Sequence, residues 1–124
     1  MNIYGNQFTG NIPSQFAARS FKFLSLNSNQ LSGRIPSGLF SFTGCYSMSF
    51  SDNRLTGSIP SELISLSVIS RLNLNDNLLT GTIPSEVGAL TKLAYMYFND
   101  NRLMGTIPTA LAALTGLKNL RLHN

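Results

Sequence analysis

Two arginines and two tyrosines recur at a fixed interval and are the residues best suited to bind another molecule. Arg71 and Tyr95 are 24 positions apart (95 − 71), and so are Tyr97 and Arg121 (121 − 97). If the chain returns to the same place after each such interval, each guanidinium lies beside an aromatic ring, within reach of a cation–π contact. Arginine and tyrosine often dominate the energy of protein interfaces. The alternative is that these rings only stiffen a sheet through cross-strand pairing.

Catalytic chemistry has little support in the sequence. His123 is the only histidine, and no nucleophile or pair of carboxylates is arranged around it. The chain has no glycine-rich phosphate-binding motif, no H-E-x-x-H and no C-x-x-C. Its one cysteine, Cys45, falls at a position expected to face the core, which predicts a buried structural thiol. We therefore predict no catalytic residue and no cofactor.

Three aspartates form a second periodic set. Asp52, Asp76 and Asp100 follow each other at the same interval (76 − 52 and 100 − 76), so stacked coils would place them in one column. A column of carboxylates could bind Ca²⁺, which prefers several oxygen ligands. The alternative, which we favour, is that each carboxylate bonds to the turn backbone while Arg54 and Arg102 offset the charge. No bidentate cage is evident, and we predict no metal site.

The spacing of these residues follows a repeat that runs through the whole chain. The same short segment recurs five times, as NQFTGNIP, NQLSGRIP, NRLTGSIP, NLLTGTIP and NRLMGTIP. The copies begin at Asn6, Asn29, Asn53, Asn77 and Asn101, so the first step is 23 positions (29 − 6) and each later step is 24 positions (53 − 29, 77 − 53 and 101 − 77). A fixed period of this length is typical of a solenoid, whose stacked coils bury a core that one coil cannot bury alone.

Each coil predicts a strand, a turn and a short helical segment. Leu72 and Leu74 alternate with polar residues, as in a strand with one buried face. Pro84 ends any strand pairing and predicts a short helical turn over Ser85–Val87. Stacked coils would therefore align their strands in parallel, with every second side chain exposed on one face. The candidate ligand-binding residues on that face are Arg71, Asn73, Tyr95, Tyr97, Asn99 and Arg121.

The asparagine that opens each copy is predicted to stabilise the turn after the strand. Its amide carries both donors and an acceptor, so a column of asparagines can satisfy buried turns and each other. The predicted structural ladder is Asn6, Asn29, Asn53, Asn77 and Asn101.

Composition narrows the classes of partner. The chain has 124 residues, which supports one domain, and its net charge is +4. The nine lysines and arginines are spread along the coils without a run, which argues against nucleic-acid binding. No uninterrupted apolar stretch is long enough to cross a bilayer, and no secretory signal opens the chain. Met1 and Asn124 both fall inside a coil, so we expect a fragment whose membrane attachment, if any, lies in other segments.

The pattern L-x-x-L-x-L-x-x-N-x-L-x-G-x-I-P resembles the plant-type leucine-rich repeat over essentially the whole chain. The resemblance implies an α/β repeat solenoid, a right-handed superhelix with a parallel β-sheet on its concave face and short helical or 3-10 turns on its convex face. It implies a single domain over 1–124, with about five coils and partial ends. Such repeats typically occur in ectodomains of receptor-like kinases and receptor-like proteins, or in polygalacturonase-inhibiting proteins, at the cell surface or outside the cell. The paired-cysteine caps of secreted members are missing here.

The resemblance further implies a recognition module, not an enzyme, that binds a protein, peptide or glycan on the concave face. One alternative is a purely structural segment of a larger chain. Another is an ice- or surface-binding array of turn hydroxyls, formed by Thr9, Thr56, Ser58, Thr80, Thr82 and Thr106. Apolar residues of the first and last coils have no neighbouring coil to cover them, so end-to-end self-association is also expected.

Overall fold

Short strands and 3-10 helices alternate along the chain, as the repeat predicts. The computed structural model describes residues 1–123, and the predicted end of the last coil at Asn124 lies outside them. The strands are β1 (Thr9–Asn11), β2 (Phe23–Ser25), β3 (Gln30–Arg34), β4 (Ser47–Ser49), β5 (Arg54–Gly57), β6 (Arg71–Asn73), β7 (Leu78–Gly81), β8 (Tyr95–Tyr97), β9 (Arg102–Leu103) and β10 (Asn119–Arg121). Among the described residues no helix is long and apolar enough to cross a membrane.

The even-numbered strands form the parallel sheet that the repeat predicts, which we call the concave sheet. Its order is β10-β8-β6-β4-β2. Met48 lies opposite Leu72, and Leu72 lies opposite Met96, so residues one repeat period apart are direct neighbours. These three side chains are buried, while their neighbours along each strand point to the other face. Asn2 forms an isolated parallel bridge with Ser25, the last residue of β2, at that edge of the sheet. The repeat period therefore sets the register of this sheet.

The odd-numbered strands form a second parallel sheet that the sequence analysis did not predict. Its order is β1-β3-β5-β7-β9. Thr56 lies opposite Leu78, and Thr80 lies opposite Arg102. These partners are 22 positions apart (78 − 56), so each strand is displaced by two positions relative to the repeat. Equivalent threonines of successive coils therefore do not face each other, which differs from the flat hydroxyl array considered above as an alternative.

Within the described part of the chain, five 3-10 helices cover the convex side. They span Ser14–Ala18, Ser37–Ser41, Ser61–Ser65, Ser85–Ala89 and Thr109–Ala113. Pro84 adopts an extended conformation immediately before the fourth helix, which confirms the predicted start at Ser85, and the helix continues past Val87 to Ala89. Neighbouring helices approach closely at Gly88, where an added Cβ would lie 2.5 Å from the carbonyl oxygen of Ala110.

The core is a single apolar layer between the concave sheet and the convex helices. Phe40 and Phe50 fill its second and third coils, with ring centroids 6.4 Å apart. Cys45 is fully buried within the layer, as predicted. One cluster of packed apolar side chains runs from Ile12 to Leu114. Stacking therefore gives the thin coils one shared core.

The ladder asparagines join adjacent coils at the turn that follows each concave strand. The Nδ2 group of Asn77 donates to the carbonyls of Phe50, Leu74 and Asn75 at 3.0, 3.2 and 3.2 Å. Its Oδ1 accepts the backbone N–H of Leu55 at 2.9 Å. Phe50 and Leu55 belong to the preceding coil, so one side chain satisfies backbone groups on both sides of the junction.

The ladder differs from the prediction in one respect, because its asparagines do not bond to each other. Asn29, Asn53 and Asn101 repeat the pattern of Asn77, each donating to carbonyls of its own and the preceding coil. Asn6 in the first coil is exposed, and its side chain donates to the carbonyls of Ile3 and Tyr4, both in its own coil.

Candidate binding site on the concave face

The four arginines and tyrosines singled out by their spacing lie together on the exposed face of the concave sheet. Arg71 and Tyr95 occupy paired positions of β6 and β8, and the guanidinium carbon lies 4.7 Å from the ring centroid. The guanidinium of Arg121 lies 5.3 Å from the ring centroid of Tyr97. The two tyrosine rings are 6.5 Å apart. These residues form one contiguous group, which we call the Arg–Tyr cluster.

The two asparagines predicted beside this cluster take different positions. Asn73, the last residue of β6, is half-buried beside the cluster. Asn99 was expected on the exposed face, but only 7% of its surface is exposed. Its side chain folds down onto the turn after β8, where Nδ2 donates to the carboxylate of Asp100. The charge of that carboxylate makes this bond stronger than a neutral one, so the side chain stays on the turn and does not stand off the sheet.

Asn73 and Asn99 each carry an unused acceptor. Within residues 1–123, the Oδ1 atoms of both side chains are buried and have no hydrogen-bond partner. The amide of Asn99 has a fixed orientation, because its NH₂ group must face the Asp100 carboxylate and its oxygen must then face away. A buried acceptor without a donor costs about 1–3 kcal/mol. Such groups are uncommon in native proteins and call for an explanation.

The two residues that carry the unused acceptors, Asn73 and Asn99, line a depression of about 390 Å³ in the concave face, which we call the amide depression. Its other walls include Ser51, Asp76, Tyr97 and Arg121. One carboxylate and one guanidinium thus lie on its lining, so their charges offset each other.

A second depression of about 290 Å³ adjoins the first, and we call it the serine depression. Its lining includes Phe23, Ser25, Ser47, Ser49 and Arg71. Serines on β2 and β4 leave space between the larger side chains at either end. Ser51 and Asn73 line both depressions, so together they form one continuous trough across the strands.

An exposed aromatic pair at the start of the trough was missed by the sequence analysis. Phe23 and Tyr46 are 61% and 46% exposed, and their ring centroids are 6.1 Å apart. Phe23 is the first residue of β2, whereas Tyr46 lies immediately before β4, outside the alternation of the strand. The sequence did contain a signal for Tyr46: it is an aromatic residue at a position where the next two coils have the small residues Ser70 and Ala94.

The aspartate column has a local structural role. Asp52, Asp76 and Asp100 adopt φ values of 53°, 54° and 53°, a left-handed conformation that aspartate tolerates better than most residues. The carboxylates of Asp76 and Asp100 accept bonds from the side chains of Asn75 and Asn99, not from the turn backbone as expected. Within residues 1–123, no three histidine, cysteine or acidic side chains are grouped closely enough to bind a metal ion.

His123 and Cys45 lie apart from the two depressions of the trough. His123 is exposed, and its carbonyl accepts the backbone N–H of Asp100. Cys45 is buried, and its thiol contacts the carbonyl of Ser47 at 3.4 Å. Burial raises the pKa of the Cys45 thiol, which disfavours the reactive thiolate.

The family comparison agrees with the repeat pattern. The Leucine Rich Repeat family matches residues 20–42, 46–66 and 69–90, which together make up more than half of the chain. None of the curated proteins compared with the chain matches it.

Solved structures of plant receptors share the fold. The LRR ectodomain of the membrane receptor kinase GASSHO1/SCHENGEN3 from Arabidopsis thaliana, in complex with CASPARIAN STRIP INTEGRITY FACTOR 2, is 31% identical, with a TM-score of 0.94. The Arabidopsis receptor kinase HAESA, in complex with the peptide hormone IDA and the co-receptor SERK1, is 34% identical, with a TM-score of 0.92. The BIR3–SERK2 complex from Arabidopsis thaliana is 35% identical, with a TM-score of 0.80.

These similarities cover nearly all of this chain but a varying share of the other proteins. The matches include 98%, 98% and 95% of this chain, and 15%, 21% and 63% of the respective structures. The chain thus spans only a small part of the first two ectodomains. The repeat period, the stacked parallel strands and these matches together show that the chain belongs to the leucine-rich repeat family.

Proposed function

We propose that this chain is a recognition segment, without catalytic activity, that binds a peptide or protein on its concave face. The observation that carries the proposal is the Arg–Tyr cluster. Arg71 and Arg121 are exposed and held over the rings of Tyr95 and Tyr97, beside a trough that runs across the strands. Cation–π contacts restrict these long side chains before a ligand arrives, which lowers the entropy lost on binding.

The relatives support the same class of ligand. The GASSHO1/SCHENGEN3 and HAESA structures are complexes, the latter with a peptide hormone and a co-receptor. We propose accordingly that the chain forms one leucine-rich repeat domain over residues 1–124 and functions outside the cell, as part of a receptor-like ectodomain. A glycan is the alternative ligand for a face rich in hydroxyl, amide and aromatic groups.

The proposal is tested by selecting ligands from a phage-displayed random peptide library against the immobilised full chain. Arg71→Ala, Tyr95→Ala, Tyr97→Ala and Arg121→Ala are then measured separately with each selected peptide. We expect at least one substitution in each half of the cluster to weaken binding about tenfold or more, because buried arginine and tyrosine contacts often contribute about 2 kcal/mol or more. Melting temperatures should change little, since the four side chains lie outside the core.

The control is Thr56→Ala on the second sheet, where the side chain is exposed and does not line the trough. Unchanged binding in all four cluster variants would contradict the proposed site. Loss of binding only in Thr56→Ala, Thr80→Ala or Thr82→Ala would favour the turn hydroxyls instead. A glycan array probed with the same chain separates the peptide ligand from the glycan alternative.

A further inference from the structure

Building on the proposed function, we infer that the amide depression binds a primary carboxamide of the ligand, such as the side chain of a glutamine or asparagine residue. The inference starts from the two unused acceptors, Asn73 Oδ1 and Asn99 Oδ1. Both side chains line the same depression. A ligand group that satisfies both must present two hydrogen-bond donors.

The charges of the lining decide what kind of donor fits. Asp76 and Arg121 contribute one negative and one positive charge to the depression. An ammonium group would add an unbalanced charge near Arg121, and a carboxylate would face Asp76 and two acceptor oxygens. Burying an unpaired charge costs more than burying a neutral group whose hydrogen bonds are satisfied. A neutral donor therefore fits this lining best.

The number of donors and acceptors points to a carboxamide. A primary carboxamide carries two N–H donors and one carbonyl acceptor. Its NH₂ group can donate to Asn73 and Asn99, while its carbonyl accepts from the guanidinium of Arg121. A hydroxyl offers only one donor, and a thioether such as methionine offers none. The carboxamide therefore satisfies both acceptors and uses the adjacent cation.

Access requires a rearrangement at the rim. The two acceptor oxygens are shielded from solvent, so the ligand must displace a side chain to reach them. Arg121 is exposed, and a cation–π contact holds its guanidinium over the ring of Tyr97. Such exposed contacts are weak, about 0.5–1 kcal/mol. Because this contact costs little to break, Arg121 is available to donate to the ligand carbonyl.

The test uses blocked single residues as probes and the ¹⁵N-labelled full chain. N-acetyl-glutamine N-methylamide is titrated while the side-chain amide signals of Asn73 and Asn99 are followed by NMR. The matched probes replace glutamine with methionine, glutamate or lysine, which have similar length but different donors. We expect the glutamine probe to shift both signals. It should bind about fivefold more tightly than the methionine probe, because a net hydrogen-bond contribution of about 1 kcal/mol corresponds to a fivefold ratio of dissociation constants.

The decisive variant is Asn73→Leu, which removes one acceptor at similar volume and leaves the bond between Asn99 and Asp100 intact. It should abolish the preference for glutamine over methionine, while Thr56→Ala should retain it. Equal binding of the four probes, absence of binding, or a preference that survives in Asn73→Leu would overturn the inference. Selected peptides that still depend on the Arg–Tyr cluster would show in that case that the proposed function stands without this subsite.

Discussion

The side-chain amide of Asn77 donates to the backbone carbonyl of Phe50, 27 residues earlier in the chain, at 3.0 Å. The bond joins two coils at a turn, beyond the point where backbone pairing between the concave strands ends. Four backbone groups depend on this one buried side chain. Repeated in successive coils, the contact explains why an asparagine opens the second to fifth copies of the repeat.

We predict that Asn77→Ala lowers the free energy of unfolding by about 1–3 kcal/mol, because it leaves buried backbone groups without partners. Denaturant titration measures the change. Asn6→Ala is the matched control, since the side chain of Asn6 is exposed and donates to carbonyls of its own coil. Its effect should be clearly smaller. Equal denaturant midpoints of unfolding for the wild type and Asn77→Ala would mean that the Asn77 side chain does not stabilise the turn.

A second prediction concerns the contact between convex helices. Gly88→Ala should lower the free energy of unfolding by about 1–3 kcal/mol, because the added methyl group would lie against the backbone of Ala110. Gly44→Ala is the matched control, since an added Cβ there meets nothing within 4 Å. Thermal unfolding of both variants tests the prediction, which fails if Gly88→Ala is as stable as Gly44→Ala.

The register of the concave sheet was predictable because it follows directly from the repeat. Each coil contains one concave strand, so residues one period apart must be neighbours, as Leu72 and Met96 are. The pairing of Arg71 with Tyr95 follows from the same argument. Burial of Cys45 follows too, because its equivalents in the next two coils, Ile69 and Leu93, are aliphatic.

Other features depend on how one coil is displaced against the next, which no single coil specifies. The second sheet pairs Thr80 with Arg102, a displacement that the repeat length does not reveal. Burial of Asn99 depends on the left-handed conformation of Asp100 and on a bond between their side chains. The exposed ring of Tyr46 stands next to Phe23 only because the strands are stacked. The trough was therefore outside the reach of sequence analysis.

A third prediction concerns the reactivity of Cys45. A thiol reagent should label the native chain slowly and the chain in denaturant rapidly, because the side chain is fully buried and its pKa is raised by burial. Absorbance of the released thiolate follows the reaction, and Cys45→Ala gives the background. Rapid labelling under native conditions would place the thiol at the surface and contradict the packing of the third coil.

The raised pKa of Cys45 also predicts a dependence of stability on pH. The unfolded chain releases the thiol proton near its ordinary pKa of 9.0, whereas the folded chain retains it to higher pH. The contribution of this group is therefore fully present below pH 9.0 and is lost as the pH rises through the folded pKa. The difference in unfolding free energy between wild type and Cys45→Ala should fall over that range. A constant difference would contradict the assigned shift.

The last prediction concerns the exposed apolar residues of the first and last coils. Phe8 lines an apolar depression of about 260 Å³ beside the first coil, and Ile107 is 66% exposed near the last. We propose that the polypeptide associates end to end, because two such surfaces bury apolar area against each other. Light scattering should show a mass that rises with protein concentration.

The substitutions Phe8→Thr and Ile107→Thr should reduce this association, since each removes apolar surface from one end of the stack. Ile64→Thr is the matched control, because Ile64 is 51% exposed on the helix Ser61–Ser65, in the middle of the solenoid. It should leave the association unchanged if the ends are responsible. An equal reduction in Ile64→Thr would indicate association through the convex side. A mass that stays monomeric at every concentration would show that the exposed ends do not drive association.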